Sequence, residues 1–253
     1  MQRTGPKLLA YDRRFGARWV AGADEAGRGC LAGPLITAGV LLDYRRLRGP
    51  VTARLGALND SKKLPAAERE TLYRVVLALA SRVTVQVIPP GEIDRAGLHR
   101  SNLAGLRRCL LKLAPPAEVC LVDGFGLGPE APEHTAVVGG DQHSAAIAAA
   151  SIVAKVVRDR MMRRFDALYP SFGFASHAGY ITLGHSQQLV TQTIQAARLT
   201  QEPLALSQLL HLIEKPGINS GVLTEFGNSH PKPERMPQEE DVVRTGPAEA
   251  LPD

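Results

Sequence analysis

Three strand-like runs in the sequence stop at acids: 19–23 at Asp24-Glu25, 119–122 at Asp123, and 135–138 at Gly139-Gly140-Asp141. Where a strand of an α/β sheet ends, the backbone leaves the ladder and side chains project into a crevice, so acids at several such ends can converge. Carboxylates brought together repel and raise one another's pKa values. A fold tolerates this when a hard cation neutralises them, and Mg2+ or Mn2+ is the natural occupant of an all-oxygen set. Such a cluster suits hydrolysis of a phosphodiester, in which metal ions activate the attacking water and stabilise the leaving oxygen. Any one of these acids is equally well explained as a turn or helix-cap residue, where aspartate is common. Taken together, each behind an apolar run, they favour the cluster.

Other residues add weaker signals. Gly27-Arg28-Gly29 allows close backbone approach on both sides of a guanidinium, which suits a phosphate or a sugar edge; a tight turn with a solvated arginine is the plain alternative. Asp60-Ser61-Lys62-Lys63 offers hydroxyl and ammonium groups to a phosphate backbone, or is a polar turn before a helix. Tyr180, in a loop with His177 and His185, could stack on a sugar or base, or simply belong to the core. Lys155, Arg158 and Asp159 share one helix face, and most such faces are solvated. His143, His177 and His185 lack the spacing of a zinc site, and no cysteine pair accompanies them.

The elements that must position these residues follow from periodicity and punctuation. Strands are expected over 19–23, 35–42, 82–88, 119–122 and 135–138. Helices are expected over 66–80, over 93–113 in two pieces broken at Gly97, and over the alanine-rich 144–168. One or two further helices over 184–214 form a small C-terminal attachment, and the proline-rich 215–253 reads as a disordered tail. The resulting organisation is a basic leader (1–18), one α/β domain with a mixed central sheet flanked by helices (19–183), the attachment, and the tail. The 253 residues are 44% hydrophobic, enough for a sizeable core. No run is long and apolar enough to span a membrane, no signal peptide is evident, and a cytoplasmic protein is expected. Cys30, Cys109 and Cys120 are too few and too scattered for a disulfide framework. The formal charge is +5; residues 231–253 hold three basic against six acidic residues, so the remainder carries +8, compatible with a polyanionic partner. No dimerisation surface is legible, and a monomer is expected.

The string Val20-Ala21-Gly22-Ala23-Asp24-Glu25-Ala26-Gly27-Arg28-Gly29, followed by Leu31-Ala32-Gly33-Pro34-Leu35, resembles the signature of type 2 ribonuclease H, or ribonuclease HII. The likeness continues through Asn59 to Leu64, Ile93-Asp94, Leu121 to Gly124, Gly140-Asp141 with Ser144, Ala148 to Lys155, Arg158-Asp159, and the loop holding Gly179-Tyr180, in that order over roughly 19–190. It implies a ribonuclease H-like fold, dependence on Mg2+ or Mn2+, and an endonuclease acting on RNA–DNA hybrids or on duplex DNA with embedded ribonucleotides. The cut would fall 5′ to a ribonucleotide and leave 3′-hydroxyl and 5′-phosphate ends.

By position, the resemblance makes Asp24, Glu25, Asp123 and Asp141 the catalytic, metal-binding carboxylates. Gly27, Arg28 and Gly29 would sense the ribose 2′-hydroxyl, Tyr180 would stack on the adjoining deoxyribose, and Lys62 and Ser144 would touch phosphates. This sequence departs from the pattern at Gln142-His143, at Ile181, and in a C-terminal stretch with no recognisable counterpart. Two rival readings predict different features. A non-catalytic nucleic-acid-binding protein would be expected to have lost at least one acid. Type 3 ribonuclease H carries an N-terminal substrate-binding domain, for which the 18 residues before Trp19 are too short.

Overall fold

The computed structural model describes residues 4–58, 61, 62, 64–182 and 186–188. Among them lies a five-stranded mixed sheet in the order β3-β2-β1-β4-β5. Its strands are β1 (Trp19–Ala26), β2 (Leu35–Asp43), β3 (Arg82–Ile88), β4 (Val119–Asp123) and β5 (Thr135–Val137). β1 pairs antiparallel with β2 and parallel with β4; β2 pairs antiparallel with β3, and β4 parallel with β5. All nine residues of β2 are buried, as expected of a strand covered on both faces.

Side chains alternate across β1, and the alternation assigns its two faces. Val20 belongs to the larger core cluster, with the alanine-rich start of α6 (Ala145–Leu168) and with α3 (Ala66–Leu79). Ala21 and Ala23 belong to the second cluster, with Leu106, Leu110 and Leu113 of α5 (Leu98–Leu113). The helix pair α4 (Pro90–Ala96) and α5 breaks at Gly97, whose φ of 84° suits glycine.

Two close approaches bring these helices onto the sheet. Ala145 through Ala150 are fully buried, and small side chains let the α6 backbone come down on β1. A Cβ at Gly22 would lie 2.2 Å from the Ala146 carbonyl carbon and 2.3 Å from the Ile147 nitrogen. On the opposite face, a Cβ at Gly105 of α5 would meet the Thr37 side chain at 2.7 Å. Gly22→Ala is therefore expected to cost about 3 kcal/mol, the upper end of overpacking penalties, because backbone rather than a flexible side chain is in the way. Urea unfolding measures this, and an unchanged midpoint would mean that α6 can slide away from β1 freely.

The segment read as a leader is part of this core. Residues Gly5–Arg13 form α1, with Leu8 and Leu9 buried in the larger cluster. The fully buried Asp12 carboxylate accepts from Tyr44 Oη at 2.5 Å and from the Ala146 N–H at 2.9 Å. A carboxylate there satisfies an otherwise unpaired donor of the first turn of α6 and complements the positive end of its dipole. The described residues also include the short helices α2 (Pro50–Arg54) and α7 (Phe174–His177) and 3-10 turns over Gly140–Gln142 and Pro170–Phe172. No described helix is long and apolar enough to cross a membrane. The expected attachment over 184–214, apart from the helical residues 186–188, and the tail over 215–253 lie outside the described residues.

Candidate active site

β1 and β4 run parallel with Ala23 beside Val122, so the next residue on each strand brings Asp24 and Asp123 side by side. β4 continues in register with β5, where Asp123 pairs with Val137. The chain then turns through Gly139, in left-handed conformation at φ 62°, into Gly140 and Asp141. The Gly140 N–H donates to Asp123 Oδ1 at 2.6 Å. A Cβ on Gly140 would strike Ile147 Cδ1 at 2.5 Å, so glycine holds this turn against α6. Asp141, nine-tenths buried or more, thereby stands next to the residue that Asp123 grips.

The electrostatics match a crowd of acids. Burial holds Asp24 well above the usual carboxylate range, and the charges of Glu25 and Asp123 push the same way. The Ser151 hydroxyl and the Glu25 N–H, at 2.7 Å from Asp24 Oδ1, pull it partly back. Ser151 in turn bonds Ser61 at 2.8 Å between hydroxyl oxygens. Burial also raises Glu25, with Asp123 adding to it; the Asn102 side chain, Arg28 and Lys62 oppose the shift. Among the described residues, these acids do not close into a preformed cage of three ligands.

The loop after β1 is built against this cluster. Gly27 has φ 106°, and a Cβ there would hit Arg158 Nε at 2.4 Å. Arg28 pairs with Glu25 at 3.7 Å, and its guanidinium carbon lies 4.5 Å from the ring centroid of Phe125, which meets His99 edge-on at 5.5 Å. Gly29 is exposed, with open space where a Cβ would stand. The loop then pairs with the Tyr180 loop: the Leu31 and Ala32 N–H groups both donate to the Gly179 carbonyl, at 2.9 and 3.4 Å. Tyr180 itself is half-buried, with the Lys155 ammonium 5.2 Å from its ring centroid. Burial raises its hydroxyl pKa, and the neighbouring Cys30 thiol adds to the effect.

Two expectations are corrected. Arg158, expected on a solvated helix face, is completely buried. Its guanidinium donates to the carbonyls of Pro34 (3.0 Å), Ala178 (2.6 Å) and Ala32 (2.8 Å). Ser144, expected at a phosphate, is also fully buried; its hydroxyl caps α6 by accepting from the Ile147 N–H at 3.2 Å. It supports the turn of Asp141 from behind and presents no group to a ligand.

Lys62 is exposed, and its charge reaches Glu25. His143 and His177 each bond a backbone carbonyl, Gly139 and Phe172, at 2.8 Å, while His185 lies outside the described residues. Asn102 and Phe125 went unnoticed in the sequence. The one available cue was that Phe125 follows Asp123-Gly124 directly at a strand exit.

Comparison with known proteins places this geometry. The sequence pattern of Ribonuclease HII matches residues 21–202. The ribonuclease HII of Salinispora tropica is 50% identical over 185 residues, covering 72% of this chain and 67% of that one. The ribonuclease H2 of Pyrococcus horikoshii OT3 shares the fold, with TM-score 0.62 at 22% identity over 83% of this chain and 99% of that chain. The ribonuclease HII of Archaeoglobus fulgidus, solved in complex with PCNA, gives TM-score 0.57 at 29% identity over 71% and 90% of the two chains. The matched span holds all four acids and both loops that flank them, and the chain belongs to the ribonuclease HII family.

Proposed function

We propose that this chain is a metal-dependent endonuclease that hydrolyses the RNA strand of RNA–DNA hybrids and incises 5′ to ribonucleotides embedded in duplex DNA. The observation that carries the reading is the crowding of Asp24, Glu25 and Asp123 at the ends of β1 and β4, directly beside the Gly27-Arg28-Gly29 loop. The residues fit a divalent cation. All the donors are carboxylate oxygens, suited to Mg2+ or Mn2+ rather than to a soft metal, and their mutual repulsion is what such a charge relieves. Asp24, Glu25, Asp123 and Asp141 would hold it. When bound, the metal supplies an activated water for in-line attack and stabilises the departing 3′ oxygen, leaving 3′-hydroxyl and 5′-phosphate ends.

The chain's own residues select and orient the substrate. The loop of Gly27, Arg28 and Gly29 comes close enough with its backbone to read a ribose 2′-hydroxyl, the group that separates RNA from DNA. Phe125 and Glu25 hold the Arg28 guanidinium at the mouth of the cluster, where a phosphate can take the place of Glu25. Tyr180 offers a ring for the deoxyribose next to the ribonucleotide, and Lys62 a charge for the phosphate backbone. Ser144 acts indirectly, by fixing the start of α6. The compartment proposed for the activity is the cytoplasm.

The test is an end-labelled DNA duplex bearing one ribonucleotide, incubated with the protein with and without Mg2+ or Mn2+, with the cut mapped to the nucleotide. Metal-dependent incision on the 5′ side of the ribonucleotide is expected. Cleavage of long hybrids alone would remove the embedded-ribonucleotide activity. No cleavage of either substrate would leave a protein that only binds.

A further inference from the structure

Asp24 and Glu25 are adjacent on β1 and therefore point to opposite faces of the sheet. Asp24 faces α6 and is met there by Ser151. Glu25 faces α5. Its partner across the ladder is Thr37, and Thr37 is the residue on which Gly105 of α5 packs. One turn earlier on the same face of α5, three residues before Gly105, is Asn102.

The Asn102 side chain is completely buried and lies against the Glu25 carboxylate, yet neither its Nδ2 nor its Oδ1 meets a partner in hydrogen-bond geometry. A buried amide with both polar atoms unused is costly and uncommon, and it calls for a role. Glu25 is meanwhile drawn towards Arg28, at the loose distance of 3.7 Å.

We propose that Asn102 is a positioning residue for Glu25: its Nδ2 donates to the Glu25 carboxylate once that group leaves Arg28 to hold a divalent cation, and so fixes the orientation in which Glu25 binds. The inference rests on Glu25 being a metal ligand. Carboxylate ligands are oriented by hydrogen bonds from groups behind them, and losing such a group typically weakens metal affinity by about 10–100-fold. Ser151 serves Asp24 in this way from α6, and Asn102 is its counterpart on α5.

The decisive variant is Asn102→Leu, close in size and without polar atoms, with Asn102→Ala beside it in case leucine does not seat. Three readouts on the full chain are needed: Mn2+ affinity without substrate, by titration calorimetry; melting temperature without metal; and incision as a function of Mn2+ and of duplex. The expected pattern is a Kd for Mn2+ raised about 10–100-fold and a metal-free melting temperature equal to or above that of the unaltered protein. Incision should be lost at limiting Mn2+ and largely restored at saturating Mn2+, with KM for the duplex unchanged. A merely structural asparagine would give the opposite sign in melting and leave Mn2+ affinity alone.

Mn2+ affinity within twofold of the unaltered protein in both variants would overturn the proposal while leaving the nuclease reading intact. If the unaltered protein itself binds no Mn2+, the nuclease reading falls and this inference falls with it.

Discussion

Asp24→Asn is expected to abolish incision and, in the same molecule, to make the metal-free protein more stable. The loss of activity should exceed the roughly 10–100-fold that removal of a supporting partner costs, because the group lost would itself hold the cation. The gain in stability follows from the direction of the pKa shift. Burial raises Asp24 in the folded state, and the charges of Glu25 and Asp123 raise it further. Such a group favours folding while protonated, at pH below its unfolded value near 3.8. That contribution is lost as pH rises through the elevated folded value, so near neutrality a buried anion opposes folding.

Asparagine keeps an oxygen for the Glu25 N–H and removes the charge. Each pKa unit of elevation corresponds to about 1.4 kcal/mol, and each kcal/mol to about 2–4 °C in a domain of this size. Melting curves without metal should therefore show the variant higher at pH 8, with the difference shrinking towards pH 4. Added Mn2+ should raise the unaltered protein and leave the variant nearly unmoved. Full incision by Asp24→Asn would refute the assignment of Asp24. A variant less stable than its parent at pH 8 would mean that the buried carboxylate is compensated by groups other than those described.

The parts of this site that were legible in the sequence are those whose signal is local. Apolar alternation running into an acid marks a strand end without knowledge of its neighbours, and Gly97 marks a helix break because few other residues adopt its φ. What was not legible depends on partners far along the chain. α1 has too little apolar periodicity to stand out; what makes it structure is Asp12 meeting Tyr44 and the start of α6, 134 residues away.

Ser144 was misplaced because a serine hydroxyl before a helix serves a cap or a phosphate equally well, and only burial decides between them. Asn102 gives no signal at all until α5 is laid on β1. The sequence could single out the acids because few chemistries call for carboxylates at several strand ends, whereas residues packed behind them give no such signal because many residue types can pack there.

Arg158 shows what that distinction costs, and its replacement is the second large effect. Arg158→Met is expected to destabilise the chain by at least about 3 kcal/mol, since three buried carbonyls lose a charged donor at once. The carbonyls of Ala32, Pro34 and Ala178 would each be left without a donor in a place water cannot easily reach, at about 1–3 kcal/mol for each fully stranded group. Methionine can fill much of the volume, so the loss reports on the hydrogen bonds rather than on a cavity. Arg158→Lys keeps the charge but cannot fork to three carbonyls in three directions, and should recover only part of the loss.

The functional consequence follows from where those carbonyls sit. Ala32 and Pro34 close the loop that begins at Gly27, and Ala178 opens the turn to Tyr180, so one guanidinium sets the distance between the two elements assigned to the ribose and its neighbour. In both variants, KM for a duplex with one ribonucleotide should rise and discrimination against all-DNA duplex should fall, while Mn2+ affinity at the carboxylates changes little. Denaturant unfolding and steady-state incision test the two halves separately. If Arg158→Met unfolds within about 0.5 kcal/mol of its parent, the range of an ordinary surface change, the guanidinium's bonds are not what holds these loops in register.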